Sequence, residues 1–91
     1  MYLEIVSPEV TLFSGEVTSV VVPGVSGEFE MLNSHAPLVS ILKEGEIKIS
    51  GDIVLEDEVV DKFNKKDGKT TLSINSGTLE INDNKIIILA D

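Results

Sequence analysis

Cysteine is absent from this chain, which excludes disulfide staples, thiolate metal ligands and cysteine nucleophiles. Arginine is absent too: the 7 cations are all lysines, set against 16 acidic residues for a net charge of −9. Nucleic-acid binding draws on clustered cations that neutralise phosphates, so this balance argues against it. The missing guanidinium also removes the bidentate fork common to anion-binding and phosphoryl-transfer sites. Aromatic residues are only Tyr2, Phe13, Phe29 and Phe63, mostly in core-like patterns. No apolar run approaches the roughly 18 residues of a membrane helix, and MYLEIVSPEV lacks the basic flank and apolar stretch of a signal peptide. The expectation is one small domain over residues 1–91, cytosolic or peripheral to something cytosolic.

Alanine, the best helix former, occurs only 2 times, while Val, Ile and Thr together number 26. That bias favours side chains that pack on a pleated sheet, so the fold is predicted to be mostly β. Seven glycines break the chain at intervals typical of short antiparallel strands. Leu3 and Ile5 alternate with Glu4, and Phe13-Ser14-Gly15-Glu16 reads as a turn before a strand over Val17 to Val22 that Pro23-Gly24 ends. Further strands are predicted around Phe29 and Met31, over Leu38 to Leu42, and at Ile47 and Ile49. Near the C-terminus, Leu72 with Ile74, Leu79 with Ile81, and Ile86 to Leu89 read as three more. Asp83-Asn84 has the character of a two-residue hairpin turn. Two sheets face to face accommodate these strands most economically.

Residues Leu55 to Lys66 depart from the pattern. Leu55, Val59 and Phe63 recur at i, i+4 and i+8, with Glu56, Asp57 and Glu58 at the start and Lys62, Lys65 and Lys66 at the end. Those charges complement a helix dipole, and a short helix is one reading. The other is a long hairpin with its tip at Lys66-Asp67-Gly68, because Val59 and Val60 suit a strand.

Several motifs approach known chemical sites and depart from them in spacing. Gly68-Lys69-Thr70 lacks the upstream glycine of a phosphate-binding loop, since Phe63 stands there. Gly24-Val25-Ser26-Gly27 brings its second glycine one residue too early for a nucleophile elbow. His35, the only histidine, has no matching nucleophile and oxyanion constellation, so packing, capping or an interface role is expected. Glu56, Asp57, Glu58 and Asp61 lack the alternating ligands and central glycine of a calcium loop and read as a solvated face. No catalytic residue, metal site or cofactor is predicted. The stretch Pro23 to Leu38, PGVSGEFEMLNSHAPL, mixes turn formers, large apolar residues and acids. It reads either as a protein-contact loop or as a tight corner whose Phe29 and Met31 complete the core.

That stretch resembles the epsilon subunit of F-type ATP synthases, whose mitochondrial counterpart is named delta. The resemblance rests on Leu3 to Ser7 with Glu9, Phe13-Ser14-Gly15 with Val17, Gly27-Glu28, and His35-Ala36-Pro37-Leu38. It continues through Gly45 with Ile47, Ser76-Gly77, Leu79-Glu80, Asn84 and the ending Leu89-Ala90-Asp91, and so spans nearly the whole chain in order. It implies an all-β fold, a flattened ten-stranded antiparallel β-sandwich, at the foot of the central stalk. The implied role is that of a noncatalytic rotor subunit coupling proton or sodium flow to ATP synthesis. Its implied partners are the gamma subunit and the c ring, with His35 at the gamma contact and Glu28, Phe29, Glu30 and Met31 at the c-ring contact. The implied place is peripheral, on the cytoplasmic face of a bacterial inner membrane, with the isolated domain a monomer.

Three departures accompany the resemblance. The family's C-terminal helical hairpin, which can inhibit hydrolysis and in some members binds ATP, is expected to be absent, the sequence ending at Asp91. Residues between Ile49 and Thr70 exceed the family pattern by about 14 and are expected to form a surface excursion, with an added contact to gamma or the c ring as the alternative. Glu30 and Asn33 stand where small or turn-forming residues are common. Outside the family, the competing function is a small acidic β-sandwich that binds a ligand such as a carbohydrate, a role poorly served by so few aromatics.

Overall fold

The computed structural model describes all residues, 1–91. Strands β1 (Tyr2–Val6), β2 (Thr11–Glu16), β3 (Ser19–Gly24), β4 (Gly27–Met31) and β5 (Leu38–Leu42) make the first half of the chain. Strands β6 (Gly45–Ser50), β7 (Phe63–Lys66), β8 (Lys69–Ile74), β9 (Gly77–Asn82) and β10 (Lys85–Ala90) make the second. Hydrogen bonding runs β2-β1-β10-β9-β5 through one group of five and β4-β3-β6-β8-β7 through the other. The two groups face each other as a sandwich, joined where Gly24 of β3 pairs with Leu42 of β5. Pro23 marks this junction: β3 pairs with β6 up to Val21 and with β5 only at Gly24, and the proline between has no N–H to donate.

Alternation along the strands decides which side chains meet between the sheets. The first sheet sends in Leu3, Ile5, Leu42, Leu79, Ile81, Ile86 and Ile88; the second sends in Val20, Val22, Met31, Ile47 and Ile49. All of these are 0–1% exposed. Leu72, Ile74 and Phe63 extend the core toward the β7 edge.

Every strand pair is antiparallel except β1 with β10, which run parallel with Leu3 opposite Ile86 and Ile5 opposite Ile88. The first and last strands thereby lie side by side in the middle of the first sheet. The predicted turn at Phe13-Ser14-Gly15-Glu16 is instead the body of β2, and at Val17-Thr18 the chain passes from the first sheet to the second. Gly15 serves close approach there, because a Cβ on it would sit 3.3 Å from Cζ of Phe13, whose ring lies across it. Pro23-Gly24 likewise belongs to β3, and the reversal falls at Val25-Ser26. Asp83-Asn84 is the two-residue hairpin turn predicted for it, with φ of +52° and +61° at its two central residues.

The helix reading of Leu55–Lys66 does not hold. Val60–Lys62 makes a single 3-10 turn, with Val59 N–H donating to the Glu56 carbonyl and Lys62 N–H to that of Val59. Extension then resumes at Phe63, and β7 pairs with β8 from Phe63 opposite Leu72 to Lys66 opposite Lys69. Pairing with a neighbouring strand outweighs i, i+4 charge pairs worth only a few tenths of a kcal/mol each. Most of the segment is exposed, as a surface excursion would be, but Val59 and Phe63 are buried at 2% and 7% exposure, and Ile53 and Leu55 pack against the core, so the excursion is anchored to it. Phe63→Ala is expected to cost about 3 kcal/mol and to lower the Tm by roughly 10–20 °C. Thermal melts followed by circular dichroism check this; a Tm within about 2 °C of the parent would mean that the segment is not part of the core.

Candidate functional site

The β3–β4 hairpin and the segment that follows it hold the candidate contact residues. Register with β3 sets their directions: Glu28 lies opposite Pro23, Phe29 opposite Val22, Glu30 opposite Val21 and Met31 opposite Val20. Glu28 and Glu30 are exposed, whereas Phe29 is half-buried against the core and Met31 is wholly buried. Of the four residues implied at the c-ring contact, the two acids present side chains outward and Met31 supports them from inside. Leu32, the next residue and one of the large apolar residues of the Pro23–Leu38 stretch, is 55% exposed and adds an apolar group beside them.

Glu28 is not a free carboxylate. Its Oε2 stands 3.2 Å from Nζ of Lys48 on β6, reaching across β3 between them. Both side chains are partly exposed, so water screens the pair and it contributes little to stability. Its effect is directional: it holds Glu28 over the outer face of the second sheet. Lys66 and Glu46 form a looser pair at 3.9 Å on the same face.

His35 lies in the loop between β4 and β5 and is half-buried. Its Nδ1 donates to the Ala36 carbonyl at 2.7 Å, since a carbonyl only accepts. That bond orients the ring and leaves Nε2 for a partner. The loop is tied to the β9–β10 turn: Ser34 N–H donates to Oδ1 of Asn84 at 3.0 Å, and Asn84 Nδ2 donates to Oδ1 of Asn33 at 3.3 Å.

Beyond this loop, β5 leads onto a surface missed at the level of sequence. On the outer face of the first sheet, Val39, Ile41 and Leu89 are 74%, 62% and 53% exposed. The registers set them in two rows, Ile41-Thr78-Leu89-Val6 and Val39-Glu80-Ile87-Glu4. The result is an apolar strip with carboxylates at one side and a shallow depression of about 240 Å³. The available signal was that Ile86 to Leu89 is apolar on both faces, where a sheet with one wet side alternates. A larger open depression of about 530 Å³ lies between the Ser7–Val10 segment and Leu72, with Lys62 and Asp91 at its rim.

The sandwich thus shows an acidic hairpin, a histidine loop tied to the β9–β10 turn and an apolar sheet face. The chain belongs to the ATP synthase delta/epsilon chain family, whose β-sandwich domain matches residues 1–91. Among its relatives, the ATP synthase epsilon chain of Chlorobium limicola is 39% identical over 89 residues, covering 98% of this chain and 86% of that protein. The epsilon chain of Campylobacter concisus is 42% identical over 91 residues, and this chain spans 60% of its length. The fold is shared with a chain of the Tetrahymena thermophila mitochondrial ATP synthase central stalk and c ring (TM-score 0.76, 13% identity, 99% of this chain and 62% of that one). It is shared also with a chain of the Euglena gracilis mitochondrial ATP synthase (TM-score 0.72, 19% identity, 97% of this chain and 48% of that one). These relatives favour a noncatalytic synthase subunit over a ligand-binding module.

Proposed function

We propose that this domain is a noncatalytic rotor element of an F-type ATP synthase that joins the gamma subunit to the c ring and turns with both. What supports the reading is the family match along residues 1–91, carried on a fold whose exposed features suit protein contacts rather than bond chemistry. The gamma contact is assigned to the His35 loop and the adjoining apolar strip, where Val39 and Ile41 follow His35 in the chain. The c-ring contact is assigned to Glu28 and Glu30, with Phe29 and Met31 buttressing them. A polar, wet contact there would fix register and orientation more than raw affinity. The protein would sit peripherally on the cytoplasmic face of a bacterial inner membrane through these partners, and the isolated domain would be a monomer. No helix of the chain is long and apolar enough to cross a membrane.

Capture from detergent-solubilised membranes tests the assignment. The tagged chain is expected to retain gamma and the c ring. Glu28→Lys, which also sets two ammonium groups against each other at Lys48, is expected to reduce c-ring capture by about tenfold, while Glu56→Lys leaves it unchanged. Equal losses for the two variants would overturn the c-ring assignment.

A further inference from the structure

Ser34 adopts φ of +64°, in the left-handed region that a residue with a Cβ occupies only when its surroundings hold it there. Asn33 and Ser34 form a turn within their own loop, and a further hold is added to it. The tie comes from 50 residues away, where Oδ1 of Asn84 accepts the Ser34 N–H at 3.0 Å. The same amide uses Nδ2 to donate to Oδ1 of Asn33 at 3.3 Å, so one side chain engages two successive loop residues.

Asn84 is itself fixed. It occupies the second central position of the β9–β10 turn at φ +61°, a conformation that asparagine tolerates better than most residues. Its carbonyl also accepts the Tyr2 N–H at 3.0 Å, which locks the turn to the start of β1 where Tyr2 lies opposite Lys85. A rigid corner made by three strands therefore reaches out through one amide and fastens a loop that is otherwise exposed.

We infer that Asn84 is a positioning residue that holds the Asn33–Pro37 loop in the conformation its partner binds. This rests on the proposed assignment of His35 to the gamma contact. Holding the loop before binding removes the ordering cost that a free loop would impose on association. Asn84 touches no partner in this account and acts only through Asn33 and Ser34.

Asn84→Gly separates the two roles of the residue, because glycine keeps the positive φ that the turn requires while deleting both ties. In the 91-residue chain this variant is expected to melt within a few degrees of the parent. Amide hydrogen exchange at Ser34 should accelerate roughly fivefold or more, and affinity for purified gamma should fall by a similar factor. Asn84→Asp, which keeps an oxygen acceptor for the Ser34 N–H, should restore most of both. Unchanged Ser34 exchange in Asn84→Gly would overturn the tie. Faster exchange with full gamma affinity would overturn the positioning role and leave the proposed function standing. If the parent chain itself fails to bind gamma, the proposed function falls and this inference falls with it. Should Asn84→Gly melt far below the parent, Asn33→Ala, which removes one tie without touching the turn, reads the same exchange and affinity, and no change in either would overturn the inference.

Discussion

Val39→Lys combined with Ile41→Asp is expected to leave the fold intact and to weaken association with the gamma subunit by about 100-fold or more. Both residues already face solvent, at 74% and 62% exposure, so replacing them costs the isolated domain little. The lysine introduced by Val39→Lys would face Glu80 across the ladder, a favourable cross-strand pair, while position 41 lies opposite Thr78. The two changes leave the net charge as it is, so a loss of binding cannot be assigned to long-range repulsion. Ile41→Asp puts a charge without a partner where the proposed interface needs apolar contact, and Val39→Lys replaces apolar contact by an ion pair that docking would have to desolvate, so both changes are penalised. Thermal melts and titration with purified gamma read the two halves of the expectation. Unaltered affinity would remove the apolar strip from the gamma contact.

The second large effect is structural. Gly77 lies in β9 between Leu42 of β5 and Ala90 of β10. A Cβ at this position would come 2.6 Å from the Leu89 carbonyl oxygen, closer than real side chains approach. That oxygen is backbone, in a strand held on its far side by β1, so relief requires opening the β9–β10 ladder. Gly77→Val is expected to cost about 4 kcal/mol or more, comparable with the whole stability of a small domain, and to leave the chain largely unfolded. Gly68→Asn is the control. Gly68 sits at the β7–β8 tip with φ +78° and nothing within 4 Å of the added Cβ, and asparagine tolerates that backbone, so about 1 kcal/mol or less is expected. Urea denaturation of both variants checks the contrast; similar midpoints would mean that the Gly77 approach does not constrain the fold.

The strand content was legible because it depends on local preference. Val, Ile and Thr crowd the pleated segments, and inward residues such as Leu3, Ile5, Ile47, Ile49, Leu79 and Ile81 alternate as a buried face requires. Asp83-Asn84 was legible for the same reason, since a two-residue turn with positive φ is solved by the residues inside it. Of the two readings of Leu55–Lys66, the helix failed and the hairpin with its tip at Lys66-Asp67-Gly68 held, because local preference there competes with distant pairing. Phe63 finds Leu72 across a ladder and a place in the core, and weak charge pairs cannot hold it in a helical turn. Glycine proved an ambiguous signal: Gly15 marks a ring lying over the backbone, not a reversal.

The candidate site divides in the same way. Sequence alone determined that this is a cysteine-free, arginine-free, acidic β domain and that the family pattern runs along nearly the whole chain. Those properties reside in residue identity and near-neighbour spacing. Only the tertiary structure decided that Met31 points into the core, that Lys48 holds Glu28, that Asn84 fastens the His35 loop, and that Val39, Ile41 and Leu89 share one exposed face. Each of these joins residues far apart in the chain through strand register. A shift of one residue in register sends every side chain to the opposite face, and register is set by the pairing of all ten strands together.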